Sequence, residues 1–283
     1  MHPTLFITDF DRTLLRNDKT IGEKDLQALE ELGRKGVFRA IATGRSLFSF
    51  ERAMDALGFS KQNRVFPVDY VLFSTGAGIM DFKTKTIIKS TFLKSCETAL
   101  IADYFENQKL DYMIHSPIPH TKNFVFKSHG TPNPDFSARI QLYNKFCSPL
   151  NDNGAVNFGR ATEVLSIIPR KKAVNIDIKI KKELSSFSVI KATSPLDHES
   201  VWIEVFPSSV SKSKSGSWLA EKLQIKRENI VSIGNDYNDA DLLTWSGKGF
   251  VVNNAPKDLK LKFETVASNN KNGVAQAIGR SFV

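Results

Sequence analysis

Two aspartates stand one residue apart near the start of the chain, in the segment Asp9-Phe10-Asp11-Arg12-Thr13. Carboxylates this close repel each other, so they usually share a proton or hold a cation between them. A hard cation such as Mg²⁺ at this point suits the chemistry of phosphate esters. Asp9 could then attack phosphorus, while Asp11 protonates the leaving oxygen and afterwards activates water. The alternative is a solvated loop in which one acid caps a neighbouring element.

Three later segments carry groups that suit a phosphoryl group and its counter-ion. The segment Thr43-Gly44-Arg45 combines a hydroxyl with free backbone N–H groups at a helix start, which can bind phosphate oxygens. Lys212 stands at the head of a later helix, where it could neutralise the phosphoryl group, and Lys214 competes for this role. The Asn- and Asp-rich segment 234–239 adds oxygen ligands for a cation. Each segment alone has an ordinary structural explanation, but together and in this order they favour one phosphate site.

Apolar runs before three of these segments predict the strands that position them. The runs at 5–8, 37–42 and 230–233 are predicted to be buried strands. One of the segments with candidate phosphate or metal ligands follows each of them. Because the carboxyl ends of parallel strands meet at one edge of a sheet, ligands bind there in open α/β folds. Strands that alternate with helices therefore predict an α/β core with a Rossmann-like parallel sheet.

Two helices are predicted between the first three strands. Thr20 and Glu23 match a capping box, and leucines at helical spacing follow them until Gly36. A second helix should begin near Ser46 and end at Gly58. A third apolar strand is predicted at 71–74.

The middle of the chain has a different pattern. A hairpin is predicted at 79–88, and helices and strands with antiparallel character follow it. The segment 174–182 alternates like a strand but also suits a helix, so both interpretations stay open. This pattern predicts a smaller α+β domain inserted at 84–196, with residues 1–83 and 197–283 forming the core domain.

Composition sets broad limits on the protein. Its 283 residues are 41% hydrophobic and 24% charged, which is ordinary for a globular protein. The net charge of +9 fits an anionic partner, such as nucleic acid or a phosphorylated metabolite, or only a well-solvated surface. The first residues lack a signal-peptide pattern and no window is apolar enough to span a bilayer, so we expect a cytoplasmic protein with no membrane partner. Cys96 and Cys147 are expected to be buried free thiols.

The four ordered segments resemble the motifs of the haloacid dehalogenase-like superfamily, specifically its Cof-type branch, subfamily IIB. In that branch a C2 cap domain is inserted between the second and third motifs, which matches the insertion predicted above. The resemblance covers nearly the whole chain and is sharpest in the core. Further matches are an NGA-like turn at Ser74-Thr-Gly-Ala77, the strand before the lysine at Ile203-Glu-Val205, and an NA pair at Asn254-Ala255.

The resemblance implies roles for the two aspartates. Asp9 would be the nucleophile and Asp11 the general acid and base. Asp9 would bind Mg²⁺ through its side chain and Asp11 through its backbone carbonyl. The loop that begins at Gly234 would supply a further protein ligand, and whether Asn235 or its neighbour Asp236 binds the metal stays open.

The resemblance also implies the phosphate ligands. Thr43, Gly44 and Lys212 would hold the phosphoryl oxygens. Lys212 is preferred over Lys214 because its distance to Leu223-Gln-Ile225 matches the lysine-to-LGI spacing of the family. The residues expected to support these groups or to contact the substrate are Arg12, Arg45, Asn238, Asp239 and Asn254.

Three positions depart from the family pattern. Arg12 replaces the glycine of DxDGT, and Thr75 replaces the asparagine of NGA. Asn235 stands where the family has the metal-binding aspartate of GDxxND. An amide oxygen can coordinate Mg²⁺, but the loss of one negative charge should weaken the hold on the cation. Asp236 could compensate, with Asp239 supporting the network.

The middle domain also carries clusters of basic residues. The segments Arg170-Lys-Lys172 and Lys179–Lys182 suit contact with an anionic substrate or a solvated face. Aromatic and basic residues alternate at Lys122–Lys127, which fits either a nucleic-acid stacking surface or a half-buried strand.

These observations favour hydrolysis of a small phosphate monoester, such as a sugar phosphate or related metabolite, with nucleic acid as the less favoured partner. The nearest alternative is a sugar phosphomutase on the same scaffold. A second alternative is a catalytically weakened protein that binds anions or nucleic acid, which Asn235 and the basic middle domain suggest. Sequence alone does not reveal the oligomeric state.

Overall fold

The computed structural model describes residues 4–59, 65–130, 132–151 and 154–282. It divides into two compact units, a core unit of Met1–Lys89 with Ser211–Val283 and an inserted unit of Ser90–Val210. Both boundaries differ from the predicted divisions after residues 83 and 196. The first boundary lies at the end of the strand Thr86–Ser90, and the second lies between the strand Val201–Pro207 and the helix Lys212–Lys222. This placement depends on strand pairing rather than on local sequence pattern.

An eight-stranded sheet organises the core unit. Its order is β14-β13-β12-β1-β2-β3-β4-β5, and the strands from β14 to β3 run parallel. With numbering in chain order, these strands are β1 (Leu5–Asp9), β2 (Phe38–Ala42), β3 (Tyr70–Phe73), β4 (Gly78–Asp81), β5 (Thr86–Ser90), β12 (Ile230–Gly234), β13 (Lys248–Val252) and β14 (Glu264–Val266). The predicted α/β class with a parallel sheet is confirmed.

The register of the central strands sets the position of the site. All five residues of β1 are buried, as expected for a strand covered on both faces. Asp9 pairs with Ala42 of β2, and Thr8 pairs with Ile233 of β12. The residues that follow β1, β2 and β12 therefore leave the sheet at the same edge.

Helices of the core unit pack against this sheet. One hydrophobic cluster joins Leu5 and Ile7 of β1 to Leu219 and Leu242 on two of these helices. The helices are α1 (Glu23–Arg34), α2 (Leu47–Ala56), α7 (Lys212–Lys222), α8 (Ala240–Trp245), α9 (Lys257–Lys260) and α10 (Gly273–Gly279).

The starts of the first two helices test two local predictions. The capping box at Thr20 is wrong, because the Thr20 hydroxyl donates to Asp18 and Gly22 takes the N-cap position of α1 without a side-chain bond. The start predicted near Ser46 is confirmed, because the Ser46 hydroxyl accepts from the Ser49 N–H and caps α2. The first prediction failed because a nearby carboxylate competed for the threonine hydroxyl.

The inserted unit contains its own sheet, with the order β10-β11-β9-β6-β7-β8. The strands are β6 (Tyr112–His115), β7 (Phe124–Lys127), β8 (Cys147–Pro149), β9 (Glu163–Ile168), β10 (Phe187–Thr193) and β11 (Val201–Pro207). Its helices are α3 (Ser95–Asn107), α4 (Pro134–Leu142), α5 (Gly154–Phe158) and α6 (Ile176–Glu183). The segment left open between strand and helix is therefore helical over α6.

Strand β11 corrects one predicted domain assignment. Residues 197–210 were expected in the core, but β11 pairs antiparallel with both β9 and β10 of the inserted sheet. At the other boundary, β5 was expected in the insertion but lies at the edge of the core sheet. Sequence periodicity does not tell which sheet a strand joins.

Two further findings concern the described residues. Both cysteines are free thiols, and Cys96 is exposed rather than buried as predicted, while Cys147 is partly buried. None of the helices in the described segments combines the length and the apolar character that crossing a membrane requires.

Candidate active site

Asp9 lies at the carboxyl end of β1 and accepts a hydrogen bond from a buried lysine. The Lys212 Nζ donates to Asp9 Oδ1 at 2.8 Å and to Asp239 Oδ1 at 2.5 Å. The Lys212 side chain is fully buried, so these two carboxylates replace the water that an ammonium group otherwise requires. A cation is thereby fixed beside the carboxylate of Asp9.

The start of α7 explains why Lys212, rather than Lys214, fills this position. The Ser211 hydroxyl accepts from the Lys214 N–H, which makes Ser211 the N-cap and Lys212 the first helical residue. Lys212 faces the sheet edge, whereas Lys214, two positions further along the helix, is exposed.

Burial and neighbouring charges shift the pKa values of both partners of this ion pair. Burial and, to a smaller extent, the carboxylate of Asp239 raise the pKa of Asp9 to about 7, although Lys212 acts in the opposite direction. Burial lowers the pKa of Lys212, but the carboxylates of Asp239 and Asp9 outweigh it and raise that pKa above its ordinary value. Lys212 therefore stays charged, and Asp9 depends on adjacent positive charge to stay ionised at neutral pH.

Asp239 is held in place by the loop that follows β12. Its Oδ2 accepts from the N–H groups of Asn235 at 2.8 Å and Asp236 at 3.0 Å. A Cβ at Gly234 would lie 2.5 Å from the Cβ and Cγ of Asp239, so only glycine leaves room for this arrangement. The loop thus presents Asp239 to Lys212.

Asp236 has a different role in the same loop. Its Oδ1 accepts from the N–H of Tyr237 at 2.8 Å and caps the short turn 237–239. This carboxylate oxygen stabilises the loop, and a role of Asp236 as a metal ligand stays a prediction.

The segment after β2 brings a hydroxyl and free backbone to the same edge. Thr43 is buried, and its Oγ1 accepts from the N–H of Arg45 at 3.1 Å, which leaves the hydroxyl hydrogen available to a ligand oxygen. A Cβ at Gly44 would lie 3.7 Å from Thr75 Oγ1 and 3.9 Å from Asn238 Nδ2. Thr75 and Asn238 therefore lie beside this segment.

Arg45 binds Asp11 through two parallel hydrogen bonds. The Arg45 Nε donates to Asp11 Oδ2 and the Nη2 donates to Oδ1, each at 2.7 Å. The Nη1 donates to the carbonyl and hydroxyl of Ser49, and the guanidinium lies 5.5 Å from the Phe10 ring centroid. Sequence reasoning placed Arg45 only among supporting residues, because no spacing rule links it to Asp11.

Arg12 adopts a backbone conformation that favours glycine. Its φ is 56°, in the left-handed region, which accounts for the glycine that the DxDGT pattern carries at this position. The Arg12 carbonyl accepts from Asn254 Nδ2 at 2.8 Å, and Asn254 Oδ1 accepts from the N–H of Asn269. Asn254 therefore anchors the turn after Asp11.

Asn235 faces the two aspartates, and this arrangement tests whether a cation fits. The inward atom of its amide lies 3.1 Å from Asp9 Oδ2, 3.1 Å from the Asp11 carbonyl oxygen and 3.2 Å from Thr13 Oγ1. Adjacent oxygens around Mg²⁺ lie about 3 Å apart, because each metal–oxygen bond is ~2.1 Å and the shell is octahedral. With the amide oxygen inward, its distances to the Asp9 and Asp11 oxygens match the separation of neighbouring ligands in such a shell.

This oxygen set is not a cluster of acidic side chains. Over the residues that the structure describes, no three His, Cys, Asp or Glu side chains are grouped to hold a metal. The set instead combines one carboxylate, one backbone carbonyl and one amide, which is the type of ligand that hard cations prefer.

Comparisons with known proteins find similarity over nearly the whole chain. A family model described as haloacid dehalogenase-like hydrolase matches residues 6–278. The 5-amino-6-(5-phospho-D-ribitylamino)uracil phosphatase YcsE of Bacillus subtilis is 23% identical over 275 residues, covering 97% of this chain and 94% of that protein.

Two solved structures share the fold over the whole chain. BT1666 of Bacteroides thetaiotaomicron, described among phosphatases of its superfamily, has a TM-score of 0.77 at 15% identity and covers 99% of this chain and 95% of its own. The subclass IIB sugar phosphatase BT4131 has a TM-score of 0.74 at 17% identity, and 98% of each chain is covered.

Proposed function

Because this chain belongs to the haloacid dehalogenase-like hydrolase family, we propose that it is a phosphatase that hydrolyses a small phosphate monoester through an aspartyl-phosphate on Asp9. The family predicted from the ordered motifs is confirmed by the match over residues 6–278. The observation that carries the proposal is the buried bond between Lys212 Nζ and Asp9 Oδ1 at 2.8 Å. This bond joins two motifs that are 203 positions apart in sequence at one sheet edge.

The first chemical step uses Asp9 and Asp11. A carboxylate oxygen of Asp9 attacks phosphorus, the bond from phosphorus to the ester oxygen breaks, and Asp11 in its protonated form gives its proton to that oxygen. To do so, Asp11 exchanges a hydrogen bond from Arg45 for one to the leaving group. Lys212 favours the ionised form of Asp9 by lowering its pKa, and it balances charge on the phosphoryl oxygens.

The second step releases phosphate. Asp11, now a carboxylate, takes a proton from a water molecule that attacks the phosphorus of the aspartyl-phosphate. The bond between phosphorus and the Asp9 oxygen breaks, which regenerates Asp9 and frees inorganic phosphate. One residue thus serves as acid and then as base, as reversible protonation allows.

Groups after β2 and at α7 would hold the phosphoryl oxygens. The Thr43 hydroxyl accepts from the N–H of Arg45 and keeps its hydrogen for a ligand, and Gly44 is the next residue in the chain. Lys212 supplies the third contact. Of these donors, Lys212 contacts Asp9 directly, and the segment 43–44 follows β2, whose last residue Ala42 pairs with Asp9.

The proposed cofactor is Mg²⁺, held by the Asp9 side chain, the Asp11 backbone carbonyl and the Asn235 amide oxygen. When bound there, the ion supplies positive charge that screens the phosphoryl group from the attacking carboxylate. We prefer Asn235 to Asp236 as ligand because an Asp236 oxygen is already bonded within the loop. Asp239 then acts through Lys212.

The proposed substrate is a small phosphorylated metabolite such as a sugar phosphate. The relatives above support this class, since one is named as a phosphatase of 5-amino-6-(5-phospho-D-ribitylamino)uracil and one as a sugar phosphatase.

A phosphate-release panel tests the proposal. Purified protein with Mg²⁺ should release phosphate from at least one member of a broad set of phosphate esters, and Asp9→Asn should abolish this release. Asp18→Asn, an exposed aspartate of the same segment, is the matched control and should keep full activity. Rapid quenching with labelled substrate should trap label on the wild-type chain and none on Asp9→Asn. Undiminished turnover by Asp9→Asn would end the proposal.

A further inference from the structure

The amide of Asn235 meets three oxygen atoms of the site. Its inward atom lies within 3.1 or 3.2 Å of Asp9 Oδ2, the Asp11 carbonyl oxygen and Thr13 Oγ1. The backbone of Asn235 is fixed separately, because its N–H donates to Asp239 Oδ2 at 2.8 Å. The side chain can therefore turn about its last bond while the loop stays in place.

The two ends of an amide suit two different states of this site. With the oxygen inward, the amide adds an acceptor to the oxygens of Asp9 and Asp11, and these acceptors repel one another unless a cation lies between them. With the nitrogen inward, the amide donates to Asp9 Oδ2 and to the Asp11 carbonyl oxygen, both at 3.1 Å. Hydrogen bonds then satisfy the same oxygens without a cation.

An ionised aspartate at position 235 has no N–H group to donate, so it would suit only the state with a cation. Asp9, Asp11 and Asp239 are balanced in part by two cations, Lys212 and Arg45, which leaves one negative charge on this group of five. A carboxylate at position 235 would raise the excess to two negative charges and would place acceptor oxygens against acceptor oxygens. The cation-free site would then be strongly repulsive.

We propose that the Asn235 amide turns over as the cation enters and leaves, so that the catalytic site stays assembled in both states. This inference rests on the proposed Mg²⁺ site. Its consequence is a weaker hold on the cation than an aspartate would give, because binding must break the amide hydrogen bonds and gains no fourth carboxylate. Occupancy of the site would then follow the free Mg²⁺ concentration.

The test compares wild type with Asn235→Asp, without substrate. In EDTA, Asn235→Asp should unfold at a lower temperature than wild type, because repulsion replaces hydrogen bonds. In Mg²⁺ it should gain more stability than wild type gains, and calorimetric titration should show binding that is tighter by roughly tenfold or more. Asn270→Asp, an exposed position in the core unit, carries the same change in charge and should match wild type in both measurements.

The side-chain amide resonance of Asn235, assigned by its loss in Asn235→Asp, reports the turn directly. It should show hydrogen-bonded amide protons in EDTA and should shift as Mg²⁺ is titrated. An amide signal that is unchanged by Mg²⁺, or equal stability of the two proteins in EDTA, would overturn the inference. If neither protein binds Mg²⁺, the proposed cofactor fails together with this inference. If wild type and Asn235→Asp bind Mg²⁺ equally well and Asp9→Asn still lacks activity, the proposed function stands and only the inference about the Asn235 amide fails.

Discussion

Asp11 accepts hydrogen bonds at both carboxylate oxygens from a single side chain, the guanidinium of Arg45, at 2.7 Å each. A planar guanidinium matches a carboxylate in this two-point geometry, which fixes orientation as well as charge. The proposed acid and base is therefore held in one orientation by the residue that directly precedes the N-cap of α2. Arg45 is a positioning residue in this view.

Substitution of Arg45 should lower kcat more for substrates whose leaving group needs a proton than for substrates whose leaving group does not. Arg45→Lys cannot make the two-point contact, so Asp11 should protonate the leaving oxygen less efficiently. We expect kcat to fall about 10- to 100-fold for an alkyl phosphate, which is part of the roughly 10²- to 10⁴-fold that acid catalysis contributes, and much less for p-nitrophenyl phosphate. Arg39→Lys breaks a similar pair with Asp69 elsewhere in the core and should not produce this contrast. Equal losses for both substrates would contradict the positioning role.

Removal of the Lys212 charge should destabilise the fold. Lys212→Met leaves Asp9 and Asp239 buried without their shared cation, and breaking such a buried group costs about 3–5 kcal/mol. The double variant Lys212→Met/Asp239→Asn removes one of the two carboxylates and should recover part of this loss. Urea unfolding measures both values. A double variant that is no more stable than the single variant would show that charge burial is not the cause.

Gly234 should tolerate no side chain. The Cβ of Gly234→Ala would meet the Asp239 Cβ and Cγ at 2.5 Å, which forces Asp239 away from Lys212. Activity should fall at least about tenfold, because displacement of a catalytic constellation by ~1 Å has large effects. A Cβ at Gly279, in α10, meets no atom within 4 Å, so Gly279→Ala is the control and should keep wild-type activity. Retained activity in Gly234→Ala would show that the Asp239 position is not critical.

Asp25 should make stability depend on pH. Burial raises its pKa from 3.8 to about 6, although the N–H of Ala275 and the charge of Arg16 oppose this shift. The folded state then holds more protons than the unfolded state between pH 3.8 and about pH 6, so the free energy of unfolding falls as pH rises through this window.

Asp25→Asn removes this titration while its side-chain oxygen can still accept from Ala275. The variant should match wild type near pH 3.5 and exceed it above pH 6, by about 3 kcal/mol at most. Chemical unfolding of both proteins from pH 3.5 to 7.5 measures the difference. A difference that does not change with pH would mean that Asp25 does not titrate in this range.

The sequence determined which residues stand at the chemical edge of the core. Asp9, Thr43 and Gly234 each follow a short apolar run, and the carboxyl ends of parallel strands meet at one edge. Burial of an apolar strand is a local property that a pattern of residues carries. The family and the α/β class followed from this order of segments.

Tertiary structure decided which neighbour each charged group binds. Lys212 binds Asp239, three positions from Asp236, and Arg45 binds Asp11 across 34 positions of sequence. It also decided that β11 joins the inserted sheet rather than the core. Such choices depend on loop backbone bonds and on strand pairing between distant segments, which no local periodicity records.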